Sequence, residues 1–378
     1  MAKQVLEIMV SSAPSAAGLS LSRDAFRRRS TTTVDDMIYR HILRPILFKF
    51  NGETAHHLAM IGLGIASVVP GCPRIMRSLM APRSAVPVKA CGVTFPNRLG
   101  VAAGWVKNGD ALPAVWGLGF GFVEVGTVTA GAWGGNPRPR VHRLVRDEGM
   151  INRMGLPSQG WEPVRHRLER RRPSMPVIVN VGKTASPDIH GDAAVADILT
   201  TVRGMAPVAD MLVLNLSCPN VTDGRNFEND ADALTGLLTA VRAALAGAKV
   251  PLLVKLSPDM AAPDLQRIVD VSMACGVDGF VASNTTKSRD GLVQSELATG
   301  LAGGLSGRPL RDRAVATVSA VRNRVGPAPL IIGCGGIFDG RDADMFMDAG
   351  ANLLEGFTGF IFQGPLYCRQ VIDTMRAG

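Results

Sequence analysis

The sequence predicts a (β/α)8 barrel that is preceded by a helical extension. Short, continuously apolar runs alternate with longer segments of helical periodicity, and eight such runs follow residue 98. The length of 378 residues is enough for one barrel and an accessory segment, without a second full domain. A doubly wound open sheet is the alternative. It would be expected to have fewer strands and a glycine-rich first turn, but Gly104 begins the sequence Gly-Trp-Val-Lys instead of G-x-G-x-x-G.

Three segments differ in composition. Residues 1–35 are rich in Ser, Thr, Ala and Arg and lack the apolar core of a secretory signal, so we expect a disordered tail or, alternatively, an organelle-targeting peptide. Residues 36–82 have apolar residues at helical spacing, including a second helical stretch at 54–69. These amphipathic helices are expected to lie on a membrane or, alternatively, to pack against the barrel or another subunit. Residues 83–378 form the predicted barrel domain.

The eight apolar runs are the predicted barrel strands. They are Leu99–Ala103, Phe122–Val128, Val177–Val181, Met211–Leu216, Leu252–Leu256, Gly279–Ala282, Leu330–Ile332 and Asn352–Phe357. Parallel strands have this continuous apolar character because both of their faces are buried. An insertion, residues 130–175, separates the second strand from the third. Two short runs within it, 140–144 and 149–154, are expected to pair as a hairpin over the barrel mouth.

The composition excludes several classes of protein. The net charge is +9, but no zinc-finger spacing or RNA-binding aromatic motif accompanies it, so no nucleic-acid partner is expected. The six cysteines form no C-x-x-C pair and the six histidines no H-E-x-x-H motif, so we predict neither a metal site nor a disulfide framework. A reducing compartment is the simplest inference. The longest apolar stretch, residues 58–70, is too short to span a bilayer.

The predicted strand ends indicate the chemistry, because barrel enzymes work at the carboxyl ends of their strands. Those ends are rich in Asn, Ser, Thr and Gly, carry two lysines, and contain no carboxylate pair and no histidine. The strand ends therefore lack the two carboxylates that a glycosidase needs and the histidine that a serine hydrolase needs. Amide side chains both donate and accept hydrogen bonds, which suits the ring edges of a flavin or a pyrimidine.

Glycine-rich turns follow the last two predicted strands, at Gly335–Gly336 and at Thr358–Gly359. Together with Gly307 they favour backbone binding of a phosphate group such as that of FMN. The alternative is that these glycines only form tight turns.

Three side chains are candidates for chemistry. Lys107 follows the first strand, and an anionic ligand would suit it. Lys255 lies inside an apolar run, so we expect it to point into the barrel, where an electron-rich flavin would be its partner. Cys218 follows the fourth strand, and its thiol has an ordinary pKa of about 8.5, low enough for a base. The alternative is that Cys218 is a small buried apolar residue.

Several motifs in these regions occur together and in a fixed order. They are Ala103-Gly104-x-x-Lys107-Asn108-Gly109, Gly126-Thr127-Val128-Thr129, Gly135-Asn136-Pro137-Arg138-Pro139-Arg140, Ile151-Asn152-Arg153-Met154-Gly155, Asn180, residues 215–220, Val254-Lys255, Ser283-Asn284-Thr285-Thr286 and residues 303–310. In these motifs the sequence resembles the dihydroorotate dehydrogenases, from about Met37 to about Phe362. The helices before the barrel resemble those of the quinone-linked class, which rest on the membrane and form the quinone entrance.

The resemblance implies FMN as cofactor, dihydroorotate as substrate and a quinone as electron acceptor. The residues that it implies around FMN are Ala103, Gly104, Lys107, Thr127, Asn180, Asn215, Lys255, Ser283, Gly307, Gly336, Phe357 and Thr358. Those that it implies around dihydroorotate are Lys107, Asn152, Arg153, Met154, Gly155, Leu156, Asn215, Asn220, Asn284 and Thr285. Cys218 would be the base that takes the C5 proton. A peripheral membrane protein on the cytoplasmic face of a bacterial inner membrane is expected, or alternatively one of the mitochondrial inner membrane.

The chain departs from the family pattern at several positions. Cys218 stands where the quinone-linked class has Ser and the soluble class has Cys. The other departures are Trp105-Val106 for Phe-Asp, Leu156-Pro157 for Phe-Asn, Phe357 for Tyr and Thr184 for Asn. They leave two further hypotheses open. One is an FMN-dependent paralogue that acts on a related cyclic substrate, with the same or another electron acceptor. The other is a non-enzymatic binding protein on the same barrel.

Overall fold

The computed structural model describes residues 38–216 and 230–376. The predicted tail, the candidate base Cys218 and the candidate substrate residue Asn220 lie outside the described residues. Within the described residues, a group of helices precedes a closed barrel, and a small sheet covers one end of that barrel.

Helices precede the barrel in the segment where helical periodicity predicts them. They are a π-helical turn Tyr39–Leu43, α1 (Arg44–Leu47), α2 (Gly52–Val68) and α3 (Cys72–Met80). Helix α2 begins at Asn51, whose side chain accepts a hydrogen bond from the backbone N–H of Thr54 at 2.8 Å. Such a cap satisfies one of the amide groups that a helix leaves unpaired in its first turn.

A two-stranded antiparallel hairpin, β1 (Val88–Ala90) and β2 (Val93–Phe95), follows these helices. Its side chains pack against an inner cluster that includes Phe122, Met211 and Leu330, the first residues of three barrel strands. The hairpin therefore covers the amino-terminal end of the barrel. Apolar periodicity did not predict it, because each strand is only three residues long.

Eight parallel strands close into the predicted barrel. They are β3 (Leu99–Val101), β4 (Phe122–Val128), β7 (Val177–Val181), β8 (Met211–Asn215), β9 (Leu252–Leu256), β10 (Gly279–Ala282), β12 (Leu330–Cys334) and β13 (Leu353–Gly356). Their order around the barrel is β10-β12-β13-β3-β4-β7-β8-β9. The (β/α)8 prediction is confirmed, and each strand begins and ends within two residues of the predicted bounds.

Helices surround the barrel. They are α4 (Leu112–Gly117), α5 (Trp161–Arg170), α6 (Asp192–Met205), α7 (Ala231–Ala244), α8 (Ala262–Ala274), α9 (Ser295–Ala298), α10 (Arg311–Val325), α11 (Gly340–Asp348), α12 (Thr358–Gln363) and α13 (Tyr367–Thr374). Three 3-10 turns add to them: Val145–Asp147, Ala206–Val208 and Arg308–Leu310. Helix faces cover the outer surfaces of the strands, which explains why the strands are apolar throughout.

A three-stranded antiparallel sheet lies over the carboxyl ends of the barrel strands. It consists of β5 (Val141–Leu144), β6 (Gly149–Asn152) and β11 (Gly304–Gly307), in the order β11-β6-β5. The predicted hairpin within the insertion is confirmed as the pair β5–β6. Strand β11 was not predicted, because it has two glycines in four residues and finds its partner far away in the sequence.

The helices before the barrel expose an unusual amount of apolar surface. Of the 17 large apolar side chains that are exposed among the described residues, 12 lie between Ile38 and Leu79. Among the described helices, none is by itself long and apolar enough to cross a membrane. The pair α2 and α3 passes that test jointly, but is bent by 113° at the break between them.

Candidate active site

A pocket opens at the carboxyl ends of the barrel strands, beneath the three-stranded sheet. Lys107, Asn215, Lys255 and Asn284, which come from four different strand ends, all line it. The predicted site residues that line this pocket are Ala103, Gly104, Lys107, Thr127, Asn152, Met154, Gly155, Leu156, Asn215, Lys255, Ser283, Asn284, Thr285, Gly307, Gly336, Phe357 and Thr358. These residues therefore converge on one cavity, and the role of each is a separate question.

Two described residues of the predicted set are set back from the lining. Asn180 is fully buried behind Thr127, whose hydroxyl donates to the Asn180 carbonyl oxygen at 2.7 Å. The Arg153 guanidinium turns away and donates to the backbone oxygen of Pro139 at 3.3 Å. Asn180 therefore acts on the pocket through Thr127, and the Arg153 side chain is directed elsewhere.

A chain of hydrogen bonds joins the amide side chains to the floor of the pocket. The Asn284 amide is 3.5 Å from the Asn215 oxygen, and Asn215 donates to the Thr127 hydroxyl at 3.1 Å. Beyond Thr127, Asn180 donates to Glu124 at 2.6 Å. Each amide is thereby held in one orientation, so the pocket presents fixed polar groups to a ligand.

The partner of Lys255 corrects the sequence prediction. Its ammonium group donates to the carboxylate of Glu124 at 2.7 Å and lies 3.6 Å from that of Glu355. A protein carboxylate, and not only a ligand, therefore balances the buried charge. The prediction of no carboxylate pair at the site was wrong, because it counted residues after the strands, and both glutamates lie within strands.

The charges of this group depend on one another. Burial alone would raise the pKa of Glu124, but the charge of Lys255 and the hydrogen bonds from Lys255 and Asn180 lower it below the usual value. The pKa of Lys255 is raised, because these carboxylates outweigh the effect of burial. Glu124 and Lys255 therefore form a buried ion pair under the pocket.

Lys107 differs from Lys255 in its hydrogen-bond acceptor, which is a backbone oxygen and not a carboxylate. Its ammonium group donates to the backbone oxygen of Gly104 at 2.7 Å. Burial lowers the pKa of Lys107 to about 8; Glu53 opposes this shift and Arg140 adds to it. Lys107 is thus a cation whose charge can be lost near physiological pH.

Helix α2 contributes two side chains that sequence reasoning did not assign to the site. Glu53 lines the pocket and forms an ion pair with Arg140, with a nitrogen–oxygen distance of 2.6 Å. His56 bonds the backbone oxygen of Trp105 at 2.8 Å, so Nε2 carries the proton. Burial, together with the charge of Lys107, lowers the pKa of His56 to about 4, which keeps it neutral. The sequence feature that could have indicated Glu53 and His56 is that they are polar residues in an otherwise apolar helix.

Glycines close the side of the pocket near β11 and α12. A Cβ atom at Gly336 would lie 2.8 Å from the backbone oxygen of Gly307, and its positive φ of 75° also favours glycine. The hydroxyls of Ser306 and Thr358 lie beside them, 2.9 Å apart. Backbone and hydroxyl donors without side-chain bulk suit an anionic oxygen group.

A second, mainly apolar cavity adjoins the first. Both cavities are lined by Gly52, His56, Met150 and Ile361, which therefore form their shared wall. The remaining lining is Tyr39, Leu47, Phe48, Ala55, Ala59, Leu63, Trp105, Leu118, Arg143, Phe360, Gly364 and Pro365. The cavity lies between the helices that precede the barrel and α12.

The departures from the family pattern are not all at the pocket. Trp105 and Val106 are buried beside it, and Trp105 lines the second cavity instead. Leu156, Pro157 and Phe357 do line the main pocket. Thr184 is buried behind it and accepts from the backbone N–H of Gly131 at 3.1 Å.

Among residues 38–216 and 230–376, no three His, Cys, Asp or Glu side chains converge as metal ligands would.

A closed parallel barrel with a polar pocket at the carboxyl ends of its strands defines the class of (β/α)8-barrel enzymes. Comparison with known proteins identifies the family within this class. The family model described as dihydroorotate dehydrogenase matches residues 85–377, so the chain belongs to the dihydroorotate dehydrogenase family.

Individual relatives agree with this assignment. The chain is 42% identical over 345 residues to the dihydroorotate dehydrogenase (quinone) of Thermobifida fusca, covering 89% of this chain and 91% of that protein. It is 41% identical over 332 residues to that of Mycobacterium bovis, covering 87% and 91%. A crystal structure of Eimeria tenella DHODH in complex with ferulenol has a TM-score of 0.75 and 32% identity, covering 85% of this chain and 90% of that chain.

Proposed function

We infer that the protein oxidises dihydroorotate to orotate in pyrimidine synthesis, with FMN as cofactor and a quinone as final electron acceptor. One observation carries this proposal: Lys107, Asn215, Lys255 and Asn284 line a single pocket in a chain of the dihydroorotate dehydrogenase family. The relatives at about 40% identity that are named as quinone-dependent support the choice of acceptor.

The residues present fit FMN. Lys255, Thr127 and Asn215 would hold the polar edge of the ring system, and Gly307, Gly336 and Thr358 the phosphate. The further residues proposed for this role are Ala103, Gly104, Lys107, Asn180, Ser283 and Phe357, with Asn180 acting through Thr127. When bound, FMN supplies the acceptor for two electrons.

The substrate would lie beside the amide side chains. Asn152, Asn215, Asn284 and Thr285 offer donors and acceptors to ring amides, and Lys107 offers a positive charge to a carboxylate. The segment 154–156 would cover the ring, and the Asn220 role proposed from the sequence completes the set. Cys218 is the proposed base for the C5 proton.

The proposal is tested by anaerobic addition of dihydroorotate to the purified, FMN-loaded protein. We expect the visible absorption of the flavin to bleach, and the colour to return when a short-chain quinone is added. A protein that binds FMN but does not bleach would contradict dihydroorotate as substrate and would favour a related cyclic compound. A colourless protein that FMN does not stabilise would favour a binding protein on this barrel.

The lowered pKa of Lys107 gives a pH-dependent prediction. Lys107 is charged below about pH 8 and loses its charge as the pH rises through that value. A charged hydrogen bond contributes about 1.5–3 kcal/mol, so KM for dihydroorotate should rise at least about tenfold between pH 7 and pH 10. Because arginine keeps its charge, the Lys107→Arg variant should lose most of this rise. An unchanged pH profile in that variant would contradict the assignment of Lys107.

The second cavity is the proposed route of the quinone. It is apolar, it adjoins the main pocket at His56, and it lies under the helices with the exposed apolar side chains. Arg143 and Tyr39 are polar groups in its lining that could meet carbonyl oxygens. A long apolar molecule could therefore reach the main pocket without crossing water.

Filling this cavity should separate the two half-reactions. Ala59 lines it from α2, and the Ala59→Phe variant adds a ring where space for the quinone is proposed. We expect KM for quinone to rise about 5- to 150-fold, which corresponds to an overpacking cost of about 1–3 kcal/mol, while flavin reduction by dihydroorotate is unchanged. Ile61→Phe, on the exposed side of the same helix, is the control. Equal quinone kinetics in both variants would refute this route.

The exposed apolar side chains before the barrel are the proposed contact with a membrane surface, either the cytoplasmic face of a bacterial inner membrane or the mitochondrial inner membrane. Ile61 and Ile65 are 47% and 59% exposed, so burying the exposed part of both side chains in lipid contributes about 1.5–3 kcal/mol in total. Ile61→Glu with Ile65→Glu should therefore lower binding to vesicles of anionic phospholipid at least tenfold in a sedimentation assay. Val293→Glu with Leu297→Glu, also exposed, should bind as the unchanged protein does. Equal losses in both would refute a specific face.

A further inference from the structure

The floor of the pocket contains two buried carboxyl groups and one buried lysine. Glu124 on β4 and Glu355 on β13 are 0% and 1% exposed. The Lys255 ammonium group lies 2.7 Å from Glu124 and 3.6 Å from Glu355. Removing a charge from water is costly unless an opposite charge compensates it. Two carboxylates beside one ammonium group would therefore leave one negative charge without compensation.

The two carboxyl groups differ in their hydrogen bonds. Glu124 accepts from Lys255 at 2.7 Å, from Asn180 at 2.6 Å and from the backbone N–H of Ala103 at 3.1 Å. Both oxygens of Glu355 are buried, and within the described part of the chain no group donates to them. A carboxylate with buried oxygens and no donor is unfavourable, whereas a neutral carboxylic acid can itself donate. Glu124 is the adjacent acceptor.

We propose that Glu124 and Glu355 share one negative charge, with Glu124 ionised against Lys255 and Glu355 a neutral acid that donates its hydrogen bond to Glu124. This arrangement gives the protonated oxygen of Glu355 an acceptor, adds a donor to Glu124 and leaves the floor of the pocket without net charge. Glu355 is thus a positioning residue: it fixes the Glu124 carboxylate, which in turn holds the Lys255 ammonium group.

The electrostatics agree in direction with this geometry. Burial is the largest cause that raises the pKa of Glu355 well above its usual value, and the negative charge of Glu124 is the second. The positive charge of Lys255 lowers this pKa but does not outweigh them. Burial also raises the pKa of the Cys334 thiol beside it to about 12, so Cys334 adds no charge. Asn180 and Ala103 are neutral donors. The described groups that face Glu355 therefore comprise one cation and one anion.

The neutral floor has a consequence that rests on the proposed function. A reduced flavin is richer in electrons than an oxidised one, so an extra buried carboxylate would oppose its reduction. A neutral Glu355 removes that opposition. Replacing Glu355 by Gln should then change the reduction potential of bound FMN very little, because a neutral amide of the same shape takes the place of a neutral acid.

Infrared spectroscopy of the FMN-loaded protein near pH 7 tests the proposal, because a protonated carboxylic acid has a carbonyl stretch apart from the carboxylate bands. We expect this band in the unchanged protein and its loss in Glu355→Gln. We also expect its loss in Glu124→Gln, where Glu355 would ionise as the remaining partner of Lys255. The matched control is Glu53→Gln, which removes a pocket carboxylate that is already ion-paired and should keep the band.

Two results would overturn the proposal. One is the absence of the acid band from the spectrum of the wild-type protein. This measurement does not depend on any variant folding. The other is a rise in the FMN reduction potential of more than about 30 mV in Glu355→Gln, a tenfold change for a two-electron couple, because it would mean that a negative charge had been removed. Neither measurement uses dihydroorotate, so failure of the proposed substrate would leave this result intact.

Discussion

Replacing Lys255 by Met should lower the free energy of unfolding by about 3–5 kcal/mol, the usual effect of removing one partner of a buried ion pair. Methionine has a similar length, so the change removes the charge while much of the volume remains. Glu124 would stay fully buried with its hydrogen bonds from Asn180 and Ala103, and with the one proposed from Glu355, but without its counter-ion. Chemical denaturation measures the loss, and Lys89→Met, an exposed lysine on β1, should change stability by less than about 0.5 kcal/mol.

The pH dependence of this variant gives a second check. Without Lys255, burial raises the pKa of Glu124 in the folded state above its unfolded value of about 4.3. The folded variant then binds a proton that the unfolded chain has released, so its stability should fall as the pH rises above that value. The deficit relative to the unchanged protein should therefore be smaller at pH 5 than at pH 8. A constant deficit would mean that Glu124 does not carry the effect.

The barrel could be predicted from sequence because its signal is local. Each buried strand, such as Phe122–Val128, is a continuous apolar run, and covering helices follow it in the chain. Strand β11 has no such signal. Its four residues become a strand because β6, which is more than 150 residues earlier in the chain, supplies the hydrogen bonds. Its pairing depends on the closed barrel and was not visible in the local sequence.

The site was predicted from residues that follow the strands, and this determined what was missed. Lys255 was recognised because a charge inside an apolar run must point inward and find a partner. The same reasoning applies to Glu124 and Glu355, each of which also lies within an apolar run. Glu53 and His56 are a different case, because only the packing of α2 against the barrel brings them to the pocket. Their helix gave no indication of which side would face the site.

The candidate base gives the other large expected effect. Cys218 lies outside the described residues, but it follows Asn215, a residue of the pocket, by three positions. A base must lie within hydrogen-bonding reach of the proton that it removes, and its pKa should be near the working pH. Cys218 meets the second condition better than a serine would.

Replacing Cys218 by Ala should slow flavin reduction by dihydroorotate about 10²- to 10⁴-fold, the usual contribution of a general base, while FMN stays bound. Replacing it by Ser should give an intermediate rate that is low at neutral pH, because a hydroxyl releases its proton far less readily than a thiol. Anaerobic stopped-flow absorbance measures both rates. Cys275→Ala, a half-buried cysteine at the end of α8, is the control for loss of a thiol and should react normally. Reduction at the unchanged rate in Cys218→Ala would transfer the role of base to another group of the pocket.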